Sequence, residues 1–223
     1  MKIKSLLLSI CFMFISIFAY AENHYEVTEV EHIIDSYQPK WVGIGESTAE
    51  FNNSGDDLSV TDQGTIIEFT PSYILDEQEN GISATYRLSI LATEFKRNVR
   101  DNRNLMHRFS ARTIAPMIGL GIAKEFPITD DTEKLIIGTD LSFGLAYDEF
   151  EENGTKTNYG LLNHNLHFIG GMNFISLVSI NEDMFVGLQH NVYYHTARIQ
   201  YDDRPDSHYK LKDSSVFVVG MKM

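Results

Sequence analysis

Four histidines in the C-terminal part of the chain are the side chains best suited to acid–base chemistry. A histidine activates a serine or threonine hydroxyl when its ring nitrogen lies within hydrogen-bond reach of that hydroxyl. No His-x-Ser sequence or other regular spacing singles out a hydroxyl partner for any of them. The sequence therefore assigns no catalytic residue. The four are His164, His167, His190 and His195.

A single basic cluster is the other group with evident binding chemistry. It consists of Lys96, Arg97, Arg100, Arg103 and Arg108. The planar fork of arginine matches the oxygens of phosphate groups, which favours a phosphate-contact surface. The alternative is a solvated loop, or one that forms ion pairs with acidic neighbours such as Asp56, Asp57, Asp202 and Asp203. The acidic pairs lack calcium-loop spacing, so we predict no metal site and no cofactor.

Alternating hydrophobicity is the main structural signal of the chain. Between residues 82 and 90, Ile, Ala, Tyr, Leu and Ile alternate with Ser, Thr, Arg and Ser. A period of two describes a β-strand with one apolar and one polar face. The same pattern recurs from Leu135 and from Met184. The predicted fold class is therefore all-β.

A water-soluble β-sandwich and a membrane β-barrel both fit this alternation. In the sandwich the apolar face is the core, whereas in the barrel it meets lipid and polar or small residues fill the lumen. Soluble strands usually span about 5 or 6 residues, but a tilted membrane crossing needs about 9 to 11. Because the alternating runs are of the longer kind, we predict a closed, antiparallel, up-and-down transmembrane barrel.

Eight strands account for the chain after residue 40, and residues 41–223 form the predicted barrel. The predicted strands are 41–51, 64–75, 81–95, 107–124, 135–149, 159–180, 184–200 and 209–223. The outer loops would then be 52–63, 96–106, 150–158 and 201–208. Pro71 and Pro116 lie inside two of these predicted strands and are evidence against them, because each proline removes a hydrogen bond from the ladder.

Aromatic residues near the strand ends are expected to form girdles at the membrane interface. These residues are Trp41, Tyr73, Tyr147, Tyr159, Tyr194 and Tyr209.

Three charged residues fall on the polar faces of predicted strands, namely Glu68, Arg87 and Asp140. A charge in a narrow interior must be paired or hydrated, because an isolated charge in a low dielectric is very costly. The interior of an eight-stranded barrel is filled by side chains. We therefore predict that the three residues form a structural ion network in the lumen.

Residues 1–21 have the form of a cleavable secretory signal. Lys2 and Lys4 precede an apolar run, and Ala19-Tyr20-Ala21 resembles a signal-peptidase site. Cleavage would remove the single cysteine and these two lysines, which changes the formal charge from −13 to −15. Such an acidic chain is a poor partner for nucleic acid.

Residues 22–40 are interpreted as a separate N-terminal segment. Apolar residues recur there at helical spacing before Pro39, which predicts a short amphipathic helix. The helix could lie on the inner leaflet or plug the barrel, and a flexible tether is the alternative.

Residues 41–223 resemble the small outer-membrane barrels of the OmpA, OmpX and OmpW kind. The resemblance rests on the alternation, the strand count and the terminal run from Ser215 to Met223, in which apolar residues keep a period of two. Such families end in an aromatic residue that the barrel assembly machinery recognises, whereas this chain ends in methionine. A second resemblance is to solitary autotransporter-type barrels, which would require twelve strands.

Neither resemblance includes a diagnostic motif, so neither identifies functional residues. The leading hypothesis is a non-enzymatic outer-membrane protein, monomeric, with a structural or surface-interaction role in its outer loops. The basic cluster would then contact lipopolysaccharide phosphates, and the barrel assembly machinery would be a partner during biogenesis. Two alternatives remain open. One is a narrow channel, and the other is a lipid-modifying enzyme with His195 as its base.

Overall fold

A computed structural model describes residues 39–53, 59–77, 82–100, 106–128, 133–153, 155–156, 165–181, 183–199 and 207–222. The predicted signal peptide and N-terminal helix lie outside these residues, except that Pro39 and Lys40 begin the first strand. Within the described ranges, no helix has the length and apolar character needed to cross a membrane.

Ten strands make up the described structure. They are β1 (Pro39–Asn53), β2 (Ser59–Glu77), β3 (Ile82–Arg100), β4 (Met106–Pro127), β5 (Lys134–Glu152), β6 (Thr155–Lys156), β7 (Leu166–Ser179), β8 (Met184–His195), β9 (Ala197–Ile199) and β10 (Ser207–Lys222).

The strands form a closed barrel with eight crossings. Each long strand pairs antiparallel with its neighbour in the chain, and β1 also pairs with β10, from Pro39↔Lys222 to Asn53↔Ser207. The short β9 continues β8 along β10, and β6 is a two-residue extension beside β5. The predicted up-and-down, eight-stranded barrel is confirmed. An autotransporter-type barrel of twelve crossings is therefore not what the chain forms.

The barrel has large apolar residues on its outer surface, whereas its interior combines polar and charged side chains with aromatic and aliphatic ones. Ile118, Leu141 and Leu188 expose 51%, 60% and 65% of their surface on the outer face. Glu68 and Asn191 are buried in the interior. A water-soluble sandwich would instead have polar residues on its outer surface and few charged residues in its core.

On β4, charged residues bracket the outer apolar surface; other strands also carry outward polar residues, namely Glu46, His190 and Ser215. On β4 the outward residues Arg112 and Lys124 lie twelve positions apart, with only apolar outward residues between them. At about 3.4 Å per residue and a tilt near 40°, this separation corresponds to roughly 31 Å along the barrel axis. The apolar band of transmembrane barrels is about 25 Å tall. We call the outward surface between these two levels the apolar band.

Several strands extend beyond their predicted ends. β2 begins at Ser59 instead of residue 64, and β3 ends at Arg100 instead of residue 95. The ladder continues above the apolar band because outward charges pair across it, as Arg112 and Glu94 do at 2.8 Å. By contrast, β7 begins at Leu166 and not at 159. We call the end of the barrel with connections 54–58, 101–105 and 200–206 the loop end, and the opposite end, where β1 begins, the turn end.

Three of the expected girdle aromatics lie inside the barrel. Trp41, Tyr73 and Tyr209 are almost fully buried, so the girdle prediction is wrong for them. Trp41 has the parity of the inward residues of β1, and its ring packs on Tyr73 at a centroid distance of 5.1 Å. Tyr194 does point outward, with 79% of its surface exposed. Tyr147 also faces outward on β5, and Tyr159 lies outside the described residues.

Both prolines lie where a ladder is interrupted. The β2–β3 register shifts between Phe69 and Ser72, on either side of Pro71. The β4–β5 pairing stops at Ile114 and resumes at Met117, so Pro116 has no partner on that side. Proline is tolerated at these positions because no hydrogen-bonded N–H is required there.

Gly144 is required by the close approach of β5 to Pro116. A Cβ atom on Gly144 would lie 2.0 Å from the carbonyl oxygen of Pro116, which is backbone and cannot turn aside. We expect Gly144→Ala to lower the free energy of unfolding by about 1–3 kcal/mol. Urea unfolding in detergent micelles measures this change in free energy. The fluorescence of Trp41, the single tryptophan of the chain, reports the unfolding.

The matched control is Gly170→Ala on β7. There the nearest atom to a new Cβ is the ring carbon Cε1 of Phe168, at 3.2 Å, and this outward ring can rotate. We expect Gly170→Ala to lower the free energy of unfolding by less than half as much as Gly144→Ala does. Equal costs for the two substitutions would show that the Pro116 contact does not constrain β5.

Candidate functional site

Two polar clusters occupy the barrel interior at different heights. The ion network, defined as Glu68, Arg87 and Asp140, lies toward the turn end. The His–Asp cluster, which contains His167, His195 and the β5 residue Asp148, lies toward the loop end. Their two aspartates share β5 and its inward face, eight positions apart.

Arg87 joins the two carboxylates of the ion network. Its Nη1 donates to Oε1 of Glu68 at 2.5 Å, and its Nη2 donates to Oδ1 of Asp140 at 3.2 Å. Its Nε lies 3.1 Å from Oδ2 of Asp140, but the geometry is not that of a hydrogen bond, so this contact is purely ionic. The structure thus brings the three predicted residues together, each at most 3% exposed.

Side-chain amides complete the ion network. Gln189 donates from Nε2 to both oxygens of Glu68 at 2.9 Å, and Asn191 donates to Oε2 at 3.3 Å. Asn173 donates to Oδ1 of Asp140 at 2.5 Å. Two carboxylates thus face one guanidinium, and these neutral donors offset the excess negative charge. Gln189 and Asn191 have the polar parity of β8, so the sequence predicts that they face inward. It does not identify Glu68 as their partner.

Aromatic layers fill the lumen on both sides of these clusters. At the turn end, Trp41 packs on Tyr73 and on Phe185, the latter at 6.0 Å between ring centroids. At the loop end, a larger group of rings meets around Tyr209. It contains Phe51, Phe95, Phe109, Phe150 and Tyr209, with adjacent centroids 5.2 to 6.4 Å apart.

The His–Asp cluster is centred on one carboxylate oxygen. Oδ2 of Asp148 lies 2.9 Å from Nδ1 of His167 and 3.0 Å from Nε2 of His195. Oδ1 of the same carboxylate accepts a hydrogen bond from Oγ1 of Thr113 at 2.6 Å. The hydroxyls of Thr113 and Tyr209 lie 3.2 Å apart. Four long strands, β4, β5, β7 and β8, therefore position the cluster.

The surroundings of His195 indicate which tautomer a neutral ring adopts. The backbone N–H of Leu211 donates to Nδ1 of His195 at 3.4 Å, so the proton of the neutral ring belongs on Nε2 and is donated to Asp148. His195 is fully buried, whereas the side chain of His167 is 19% exposed. The cluster is therefore reachable through His167.

Neither interior histidine has the arrangement of a hydrolase triad in the described residues. Thr113 bonds to the carboxylate of Asp148 and not to a ring nitrogen. An imidazole–hydroxyl contact does occur on the outer face, where Nδ1 of His190 lies 3.1 Å from Oγ of Ser215. No described carboxylate orients the His190 ring, so this contact lacks the third group of a triad. His164 lies outside the described residues.

The basic cluster is dispersed by the strand extensions. Lys96 and Arg97 lie in β3 and not in a loop: Nζ of Lys96 donates to Glu94 at 2.5 Å, and Nη1 of Arg97 lies 3.4 Å from Oδ2 of Asp62. Arg108 is exposed in β4. The side chain of Arg100 and the whole of Arg103 are not among the described parts of the structure. The same holds for the acidic neighbours Asp56, Asp57, Asp202 and Asp203.

Glu94 therefore links two cations just above the apolar band. Hydrogen bonds from Lys96 and then from Arg112 hold the pKa of Glu94 below its usual value. The group thus stays ionised at neutral pH and compensates part of the positive charge at this level.

Comparison with known proteins yields distant structural neighbours only. No family model and no curated protein matches the chain. Neisserial surface protein A is 13% identical, with 82% of this chain and 97% of that chain covered and a TM-score of 0.43. The outer membrane protein OprG from Pseudomonas aeruginosa is 10% identical over 86% and 97%, with a TM-score of 0.44. The attachment invasion locus protein Ail of Yersinia pestis is 10% identical over 83% and 99%, with a TM-score of 0.34.

These neighbours are small eight-stranded outer-membrane barrels, the kind that the sequence resembles. At such identities and TM-scores, the fold of this chain rests on its own strand pairing.

Proposed function

We propose that this chain is an outer-membrane β-barrel protein with a structural or surface-interaction role at its loop end. The observation that carries the proposal is the apolar outer surface of a closed barrel whose interior holds buried charged and amide side chains. Closure pairs the backbone groups of every spanning strand, which is the condition for a β-structure to lie in lipid. A scaffold of this kind presents its loops to the cell surface and has no need of a catalytic centre.

The filled lumen supports a structural role over conduction. Arg87 joins carboxylates on β2 and β5, and the amides bound to those carboxylates lie on β7 and β8, so the ion network and its partners meet across the interior. Aromatic rings close the space on both sides of the ion network. We propose that the ion network fixes the register and cross-section of the barrel, because a paired buried charge specifies a unique arrangement of its partners.

The surface role would belong to the charged residues above the apolar band. Lys96 and Arg108 lie there on the outer face, at the height where lipid headgroups meet the barrel. We propose that they contact lipopolysaccharide phosphates, together with Arg100 and Arg103. Arg97 is not part of this surface, because it has the inward parity of β3 and pairs with Asp62. Glu94 compensates part of this charge through Lys96, so the contacts would be moderate. Biogenesis would involve the barrel assembly machinery acting on β10 of a monomer.

Membrane extraction and gel mobility test the proposal. We expect the protein to stay with the outer-membrane fraction in high salt, to dissolve only in detergent, and to migrate differently on SDS gels with and without boiling. The physical reason is that a closed barrel in a micelle resists unfolding by SDS until it is heated. A protein that is extracted without detergent and shows no mobility shift would refute membrane insertion.

Epitope insertion supplies the matched control for orientation. An epitope in the 200–206 connection should bind antibody on intact cells, whereas the same epitope in the 129–132 connection should bind only after the envelope is opened. The reverse pattern would place the loop end on the inner side and remove the surface role.

A further inference from the structure

We infer that Asp148, His167 and His195 form a binding site for one divalent transition-metal ion, with Zn²⁺ as the expected occupant. The site lies inside the loop end of the barrel and is independent of the proposed structural role. The sequence gives no indication of it, because the acidic pairs that could suggest metal binding lie in other segments.

The ligand types suit a borderline metal. Two imidazole nitrogens and one carboxylate oxygen form a common set for zinc sites that keep an open position, and imidazole also suits nickel, copper and iron. Hard ions such as Ca²⁺ and Mg²⁺ favour all-oxygen ligands. The set therefore selects against the two commonest divalent ions outside the cell.

The distances place the three ligand atoms almost correctly. The two Asp148-to-histidine distances are 2.9 and 3.0 Å, and all three ligand atoms lie within 4.8 Å of one another. Tetrahedral ligands at about 2.0–2.1 Å from zinc are roughly 3.3–3.4 Å apart. The two histidine nitrogens, which lie within 4.8 Å of each other, must also reach this spacing, and rotation of the two imidazole rings on adjacent strands supplies the movement.

The second layer of contacts orients the carboxylate. Thr113 donates to Oδ1 of Asp148 at 2.6 Å and leaves Oδ2 directed at both histidines. Tyr209 lies behind Thr113 at 3.2 Å and fixes the hydroxyl. Outer partners of this kind hold ligand orientation in metal sites and contribute strongly to affinity.

Ion binding would replace two hydrogen bonds. Without an ion, a ring N–H of each histidine donates a hydrogen bond to Oδ2 of Asp148. With an ion, those two nitrogens must be deprotonated, so binding releases or relocates protons. The proton of His195 would move to Nδ1, which breaks the bond from Leu211. At 3.4 Å that bond is long and its loss costs little. The partly exposed ring of His167 gives the ion a route of entry.

Zinc titration of the folded barrel tests the site. The full mature chain, without a polyhistidine tag, is folded in detergent micelles, checked by the heat-dependent gel shift, and treated with a chelator. Calorimetry with Zn²⁺ should then show one tight equivalent per chain. Co²⁺ should give the visible absorption bands of a tetrahedral site with nitrogen and oxygen ligands.

Substitutions assign the binding to these residues. We expect Asp148→Asn and His167→Gln each to weaken Zn²⁺ binding at least about 100-fold, and Thr113→Val to weaken it about 10- to 100-fold. His190→Gln is the matched control, because His190 is an outward histidine bonded to Ser215. It should leave the affinity unchanged.

Two outcomes would overturn the inference. One is a folded native barrel that binds no stoichiometric Zn²⁺. The other is binding that persists in folded His167→Gln, which would assign the ion to another histidine. Because His167 is partly exposed, His167→Gln keeps the test decisive even if Asp148→Asn fails to fold.

Discussion

Replacing Arg87 with methionine should lower the free energy of unfolding by about 3–5 kcal/mol, which is the usual cost of removing one partner from a buried ion network. The guanidinium is the only cation between Glu68 and Asp140 in the described structure, and its side chain is 1% exposed. Without it, two like charges face each other in a low-dielectric lumen. The remaining amide donors of Gln189 and Asn173 cannot supply a positive charge.

Two variants make the measurement specific. Arg112→Met removes an arginine with a similar ion pair, to Glu94, but that side chain is 49% exposed, so we expect a cost of at most about 1 kcal/mol. The charge-free variant Glu68→Gln/Arg87→Met/Asp140→Asn should recover most of the loss, since it leaves no unpaired charge. Urea unfolding of the micelle-folded barrels, followed by tryptophan fluorescence, compares all four proteins.

The pattern of the four values decides the role of the ion network. If Arg87→Met costs no more than Arg112→Met, water enters the lumen and hydrates the carboxylates, and the network does not stabilise the barrel. A triple variant as unstable as Arg87→Met would instead assign the loss to the packing of the arginine stem.

The ion network could be predicted because parity alone determines which face of a strand a residue occupies. Glu68, Arg87 and Asp140 each lie on the polar face of a strongly alternating strand. In a closed narrow barrel all polar faces line one lumen, and these residues lie five to seven positions from the turn ends of their predicted strands, which places them at a similar depth. The same reasoning correctly gave the fold class and the number of crossings.

The His–Asp cluster could not be predicted from parity, because it requires register as well. His167 lies opposite Ala146 of β5, and the β7–β8 register places His195 opposite Ile169. The tight connection at 180–183 sets that second register. The predicted strands 159–180 and 184–200 place this connection within one residue of its observed ends, so the register was available. No feature of the sequence, however, marked Asp148 as the partner of the two histidines.

The girdle prediction was based on the position of aromatic residues near strand ends, and it was wrong for three of them. Tyr73 lies on the inward side only because the bulge at Pro71 reverses the parity of β2 after Glu68. A bulge shifts every later side chain to the other face, and its effect on parity cannot be read from a single proline. Trp41, in contrast, has the inward parity of β1 throughout, so that information was in the sequence.

Placing an arginine at the centre of the apolar band should also destabilise the barrel strongly in lipid. Ile118 lies midway between Arg112 and Lys124 on the outer face of β4, opposite Leu88 and Phe143. We expect Ile118→Arg to cost about 2–4 kcal/mol in phospholipid vesicles, because a charge at the bilayer midplane must be drawn toward the interface. Urea titration of vesicle-folded protein, followed by the fluorescence of Trp41, measures the change.

An arginine at a different position along β4 provides the control, because the free-energy cost of a lipid-facing arginine depends on its depth in the bilayer. Ile122 has similar exposure, 55% against 51%, but lies two residues from Lys124. Ile122→Arg should therefore cost only about 0–1 kcal/mol. On the surface of a soluble protein both substitutions would fall within about 0.5 kcal/mol of the native value. A clear difference between the two sites thus requires a bilayer around the apolar band, whereas equal and small effects would mean that water surrounds the barrel and that the membrane role is wrong.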